Sequence, residues 1–253
     1  MAKGGNSTAS SSAKATAAAT EDGQAAASRG PETGLSERHV VALSIHATIK
    51  ACQSQNGLRH GDYLRYRQYC TRRLRRVRTR QDVRFSLGKG KTFIQRTLIA
   101  EDVKTPQHLF IPLLMAERAW AYAMALKQHA SGGGVRQRVS HHLERRLAKA
   151  AKWATQLENL CAATGDERTA VEGRAYAAWM RGSHALEREE WAAALEAFSA
   201  AHGVCAQLGS VGAAEDQDLF TLRAEEIEPN MRYCAYNLEL ASGGDNSGDA
   251  AAA

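Results

Sequence analysis

The chain has 253 residues, 44% of them hydrophobic types, and a formal net charge of +6, enough for one large or two small domains around a substantial core. It contains no run of the about 18 apolar residues that a membrane span needs and no contiguous apolar stretch of signal-peptide type near Met1. Its five cysteines (Cys52, Cys70, Cys161, Cys205, Cys234) stand far apart with no CxxC pair, which excludes the usual zinc and redox motifs and fits buried, reduced thiols in the cytoplasm or nucleus.

Residues 1–35 hold almost only Ala, Ser, Thr, Gly and a few charges, with no large apolar residue between Met1 and Leu35. Such a segment cannot offset the entropy of ordering itself and reads as a disordered N-terminus. The helical domain is expected over 36–241. Its first helix runs from Ser36, an N-cap candidate, to Gln55, with Val40, Leu43, Ala47 and Ile49 facing the core. Asn56-Gly57 is a left-handed stop. A second helix follows from Asp62 to Arg80. Between 82 and 106 apolar residues surround a basic loop, Gly88-Lys89-Gly90-Lys91.

Pro106 precedes a long helix over 107–130, whose first turn must accommodate Pro112 or else begin there. The next helix spans 135–163, with Leu143, Leu147, Ala150, Ala154, Leu157 and Cys161 on one stripe. Residues 166–209 give two helices joined near Arg188-Glu189-Glu190, with Ala175, Ala178 and Gly182 allowing close packing. That pair resembles one tetratricopeptide unit. A last helix over 213–240 should break or kink at Glu228, before Pro229. Residues 242–253 read as a disordered tail. The fold class is all-α, an antiparallel, tetratricopeptide-like helical stack with disordered ends.

Charge is distributed unevenly. Residues 59–96 carry thirteen Lys and Arg against only Asp62 and Asp82, the concentration expected of a surface that meets a polyanion. On a helical wheel Tyr63, Tyr66, Cys70, Leu74 and Val77 form one stripe. Arg65, Tyr69, Arg72, Arg76 and Arg80 gather opposite, with Arg75 beside them, and Arg67, Arg73 and Arg78 flank the stripe. An ordinary solvated face mixes signs, because like charges at i,i+4 repel. Arginine rather than lysine favours bidentate contact with phosphate and stacking on bases. The run also matches a nuclear-import signal, which is compatible with the same reading. RNA is favoured over DNA because no helix-turn-helix or basic-zipper pattern is present. Such a helix enters an RNA groove only where a loop, bulge or junction widens it. The candidate RNA contacts are Arg59, Arg65, Arg67, Tyr69, Arg72, Arg73, Arg75, Arg76, Arg78, Arg80, and a second patch of Lys89, Lys91 and Arg96.

Other signals carry less. Gly90-Lys91-Thr92 ends like a phosphate-binding loop, but Phe85 occupies the position of the required glycine. The adjacent His141 and His142 point about 100° apart on a helix, poor geometry for shared metal ligation. Glu117, Arg118 and Trp120 read as a charge pair and an aromatic used in packing. No catalytic motif, metal site or cofactor site is expected, and the chain does not read as an enzyme.

The motifs Gly57-Leu58-Arg59-His60-Gly61-Asp62-Tyr63, Arg65-Tyr66-Arg67 and Arg72-Arg73-Leu74-Arg75-Arg76 stand in order with Ala116-Glu117-Arg118-Ala119-Trp120, Tyr122-Ala123-Met124 and Pro229-Asn230-Met231-Arg232-Tyr233-Cys234-Ala235-Tyr236-Asn237. Over residues 40–240 the chain resembles the N-terminal RNA-binding domain of the sixty-eight-kilodalton subunit of the eukaryotic signal recognition particle. Pro112 departs from the smoother apolar helix of that family. The resemblance implies a tetratricopeptide-like fold and binding and remodelling of the particle RNA at a junction by the arginine-rich helix. It carries over to Arg65, Arg67, Arg72, Arg73, Arg75 and Arg76, and to the basic loop with Lys89 and Lys91. It also implies pairing with the seventy-two-kilodalton subunit through a C-terminal region not found here, and a cytoplasmic role in co-translational targeting to the endoplasmic reticulum, with nuclear or nucleolar passage during assembly. The alternative is a tetratricopeptide-like module that binds a protein or peptide, suggested by Trp191, Leu195, Phe198 and Ala201.

Overall fold

A buried apolar helix organises the other elements. The computed structural model describes residues 40–85, 96–130 and 136–243, which contain α1 (Ile45–Gln55), α2 (Tyr63–Thr79), α3 (Pro106–Ala130), α4 (Arg136–Thr164), α5 (Glu167–Glu187), α6 (Trp191–Val211) and α7 (Ala214–Gly243). The expected disordered N-terminus, most of the expected tail and the basic loop with Lys89 and Lys91 lie outside the described residues. In α3 every residue from His108 to Glu117 is buried, so this stretch of the helix has no solvent face. The length of α3 and its mean hydropathy of 1.3 would suit a membrane span, a property that counting uninterrupted apolar residues misses because Glu117 and Arg118 divide the run. Here 78% of its most apolar stretch is buried among other parts of the chain.

α2 and α4 pack on α3, α5 on α4, α6 on α5 and α7 on α6. The two- and three-residue connections at 165–166, 188–190 and 212–213 force each helix back along its predecessor. The all-α, tetratricopeptide-like stack expected from the sequence is what forms. One core joins α1 through α5 around Tyr66, Leu109, Leu147 and Leu157, and a second joins α5, α6 and α7 around Phe198 and Phe220. At the α5–α6 crossing Gly182 lies so close to Phe198 that a Cβ would stand 2.8 Å from the ring. The small residues noted on α5 therefore do allow close approach.

Three helix boundaries differ from expectation. The first helix starts at Ile45 rather than Ser36, because the preceding segment pairs elsewhere. The Val41 N–H donates to the Thr164 carbonyl at 2.9 Å, and the Asp166 N–H donates to the Val41 carbonyl at 3.2 Å. Val40 is consequently exposed at 69%, while Val41, Ile45, His46 and Cys52 supply the buried positions. Pro106 is the first residue of α3 rather than its predecessor, and Pro112 lies well inside it. α7 continues through Pro229 and does not break at Glu228. A proline inside a helix costs about 3 kcal/mol, and around Pro112 the burial of one whole helix offsets it.

Candidate nucleic-acid interface

The turn before α2 is built by two glycines in left-handed conformation, Gly57 at φ 114° and Gly61 at φ 70°. At Gly57 a Cβ would meet the Asp62 carbonyl oxygen at 3.0 Å, so glycine is required there for space as well as for φ. Asp62 then caps the helix, accepting the Arg65 backbone N–H at 2.8 Å. Tyr66, Cys70, Leu74 and Val77 are buried, as the wheel placed them, and Tyr63 meets Trp120 edge-on with centroids 6.0 Å apart.

Glu117 fixes the helix on the core. Its carboxyl accepts from the Tyr66 hydroxyl at 2.7 Å, the Tyr176 hydroxyl at 2.7 Å and the Gln53 amide at 3.0 Å, joining α1, α2, α3 and α5. Burial, and then the Glu117 charge, hold both tyrosine hydroxyls protonated, well above the usual phenol range. Glu117 therefore does not pair with Arg118, contrary to the expected charge pair, because successive helical residues point to different sides.

The arginines separate into two groups. Arg65, Arg72, Arg75, Arg76 and Arg80 are exposed, and among the described residues only Arg80 of these meets a carboxylate, Asp82 at 3.0 Å. Arg67, Arg73 and Arg78 are half-buried. Arg67 lies 3.7 Å over the Tyr122 ring, and Arg73 lies 5.0 Å over Phe110. Arg73 also donates to the Tyr69 hydroxyl and to the Cys52 sulfur. Tyr69 in turn donates to Cys52 at 3.4 Å, so its polar edge is engaged within the chain. Arg78 donates to Met115 Sδ at 3.3 Å while its Nε has no partner. Burial, and then the neighbouring Arg118, bring its pKa down to about 10.

The remaining candidates lie elsewhere. Arg59 lines a cavity of about 680 Å³ with His46, Lys50, Arg223 and Glu226, a set that shares no residue with the grooves along α2. Arg96 is held by Asp102 at 2.7 Å and lies 5.0 Å over Phe85. Charge that the linear reading missed continues instead across α3 and α4, at Arg118, Arg146 and Lys149. The spacing of His142, Arg146 and Lys149 on one helical face was the available signal. All five cysteines are free and buried. Burial pushes the Cys161 and Cys205 thiols up to about 12 and about 11, which makes them poor nucleophiles. His141 and His142 do point apart, toward Glu144 and Tyr122 respectively.

The chain is similar to known proteins in sequence and in fold. The signal recognition particle subunit SRP68 of Drosophila melanogaster is 38% identical over 214 residues, covering 83% of this chain and 34% of the relative. The subunit of the same name from Dictyostelium discoideum is 35% identical, over 78% of this chain and 32% of its own length. The chain thus spans about a third of the curated relatives it matches. Among solved structures, that of the SRP68-RBD from Chaetomium thermophilum superposes with a TM-score of 0.64 at 26% identity, covering 77% of this chain and 93% of that one. The profile described as "RNA-binding signal recognition particle 68" matches residues 58–252, from the turn before the arginine helix onward. Sequence identity, fold and matched span agree, and the chain belongs to the RNA-binding signal recognition particle 68 family.

Proposed function

We propose that the chain is a non-catalytic RNA-binding unit of the signal recognition particle, and that it grips and reshapes the particle RNA at a junction through the exposed face of α2. The observation that carries this reading is the row Arg65, Arg72, Arg75 and Arg76, exposed and without a carboxylate partner among the described residues, on a helix held rigidly by Glu117. Guanidinium groups in that state are available for bidentate contact with phosphate. The rigid helix sets their spacing before the ligand arrives, which limits the ordering cost of binding. In the particle this activity would support assembly in the cytoplasm and co-translational targeting to the endoplasmic reticulum. The seventy-two-kilodalton subunit would be met through sequence other than these residues.

Fluorescence anisotropy against particle RNA containing the junction, with a perfectly paired duplex of equal length as comparator, tests the reading. We expect at least tenfold tighter binding to the junction, about 1.4 kcal/mol. With about six phosphates engaged, the log–log salt slope should lie near −5. Replacing Arg72 and Arg76 with Glu should weaken binding by at least about 100-fold, about 2.8 kcal/mol, with circular dichroism unchanged. Equal affinity for the two RNAs would reduce α2 to a general polyanion contact.

A further inference from the structure

We propose a second phosphate-holding site on the α3–α4 side of the domain, formed by Arg118, Arg146 and Lys149 around Tyr122, which takes the backbone of the same RNA where it extends past α2. This inference rests on the RNA-binding reading above, but it concerns residues outside the arginine helix.

The site begins at Tyr122. Its ring is approached by two guanidinium groups, Arg67 from α2 at 3.7 Å and Arg146 from α4 at 4.7 Å. His142 meets the same ring edge-on at 5.1 Å and accepts the Arg146 Nε–H at 3.1 Å. One helical turn before Tyr122 on α3 stands Arg118. It donates to Met115 Sδ at 3.3 Å, the same sulfur that receives Arg78 at 3.3 Å. Two cations thus share one thioether, a weak acceptor that leaves most of their donor capacity unspent. Lys149 is exposed, one turn beyond Arg146 on the same face of α4.

Neutralising groups would be expected if this cluster were only structural. Among the described residues no carboxylate pairs with Arg67, Arg78, Arg118, Arg146 or Lys149. The acids nearest in sequence are occupied elsewhere. Glu117 points into the core toward Tyr66 and Tyr176, and Glu144 faces His141 and Arg188. Burial, followed by mutual repulsion with Arg67 and Arg146, holds Arg118 below the usual guanidinium range. Partial desolvation of its ammonium, then Arg118 and Arg146, act likewise on Lys149. Like charges held this close raise the energy of the free protein and lower it when an anion enters. The aromatic and thioether contacts pre-orient the guanidinium groups without consuming them, as a phosphate site requires.

Arg146 of α4 and Arg67 of α2 lie over the same Tyr122 ring, so the α4 cations adjoin the Arg67 flank of α2 and not its exposed row of Arg65, Arg72, Arg75 and Arg76. A compact RNA that fits α2 alone should not touch them, whereas one prolonged by a helical arm should.

The test compares the junction RNA in a minimal form with one extended by one helical turn, each titrated against the parent protein and the Arg146→Glu/Lys149→Glu variant. The expected result is unchanged affinity for the minimal RNA, with about tenfold loss on the extended one. The salt slope for the extended RNA should fall in magnitude by about 2, because each phosphate contributes about 0.9. Lys149→Glu alone, at an exposed position, should give part of the same loss and guards against misfolding of the double variant. Parent-like binding of both RNAs by both variants would overturn this site and leave the α2 reading intact. Failure of the parent protein to bind either RNA would overturn both.

Discussion

The arginines of α2 differ in what their side chains already touch. Arg67, Arg73 and Arg78 rest on Tyr122, Phe110 and Met115 and help fasten the helix through stacking and packing. Among the described residues Arg65, Arg72, Arg75 and Arg76 have no such anchor, and binding energy should be concentrated there. Glu117 is the corresponding residue on the inside, where it is 1% exposed and accepts three hydrogen bonds. Glu117→Gln keeps the volume but offers one acceptor oxygen to two tyrosine hydroxyls. Urea unfolding should show a loss of about 1–3 kcal/mol, the cost of a buried polar group without its partner. RNA affinity measured on the still-folded variant should change less than twofold. A loss of affinity matching that of the Arg72/Arg76 variant would mean that Glu117 does more than hold the helix.

At the scale of elements, α2 depends on its first turn. Asp62→Ala removes the acceptor of the Arg65 N–H and should cost about 1 kcal/mol, read as a lower thermal midpoint and faster amide exchange at Arg65. Asp62→Asn should be nearly neutral. The helix and its two faces were legible in the sequence because a 3.6-residue period, a capping aspartate and a one-sided charge pattern are all local. The α1 start was not legible, since Val40, Leu43 and Ala47 imitate a helical stripe and the competing partner, the turn at Thr164–Asp166, is more than 120 residues away. The prolines misled for a related reason: local sequence states their cost, and only tertiary burial of α3 states what offsets it. Glu117 was read as half of a charge pair with Arg118 because its true partners lie 51, 59 and 64 positions distant. The basic cluster on α3 and α4 escaped notice because each helix contributes only a few of its cations.

For the molecule as a whole, α1, α5 and α7 meet in a polar chain that runs from buried His46 and Glu172 to Arg168 and Asp216 at the surface. The His46 backbone N–H donates to Glu172 at 3.0 Å, and Arg168 bridges Glu172 and Asp216 at 3.0 and 2.9 Å. Burial lowers the pKa of His46 below 6.5 despite the nearby Glu172. As pH falls through 6.5 the unfolded chain takes up that proton first, so stability is greatest above this value and declines below it. Burial of Glu172 opposes its ionisation, but hydrogen bonds from His46 and Arg168 outweigh this and hold it below 4.5. A further loss is therefore expected as pH drops below that value. Thermal midpoints should be level between about pH 7 and 8 and fall in two stages on acidification. His46→Gln should shrink the upper stage without abolishing it, since burial and Arg188 lower His184 in the same direction. A midpoint that rises between pH 7 and 6 would contradict this account.

The pairing of Val41 with Thr164 and Asp166 also orders events during synthesis. α2 can dock once α3 has emerged, because Tyr66 finds Glu117 51 residues later. Gln53 of α1 can meet Glu117 at the same stage, but the His46 end of α1 and Leu43 before it must wait for Glu172 and Thr169, each 126 residues beyond its own bonding partner. At translation rates of about 5–20 residues per second, that delay is about 6–25 s. The nascent chain therefore presents a seated basic helix while residues 41–46 still lack their partners on α4 and α5.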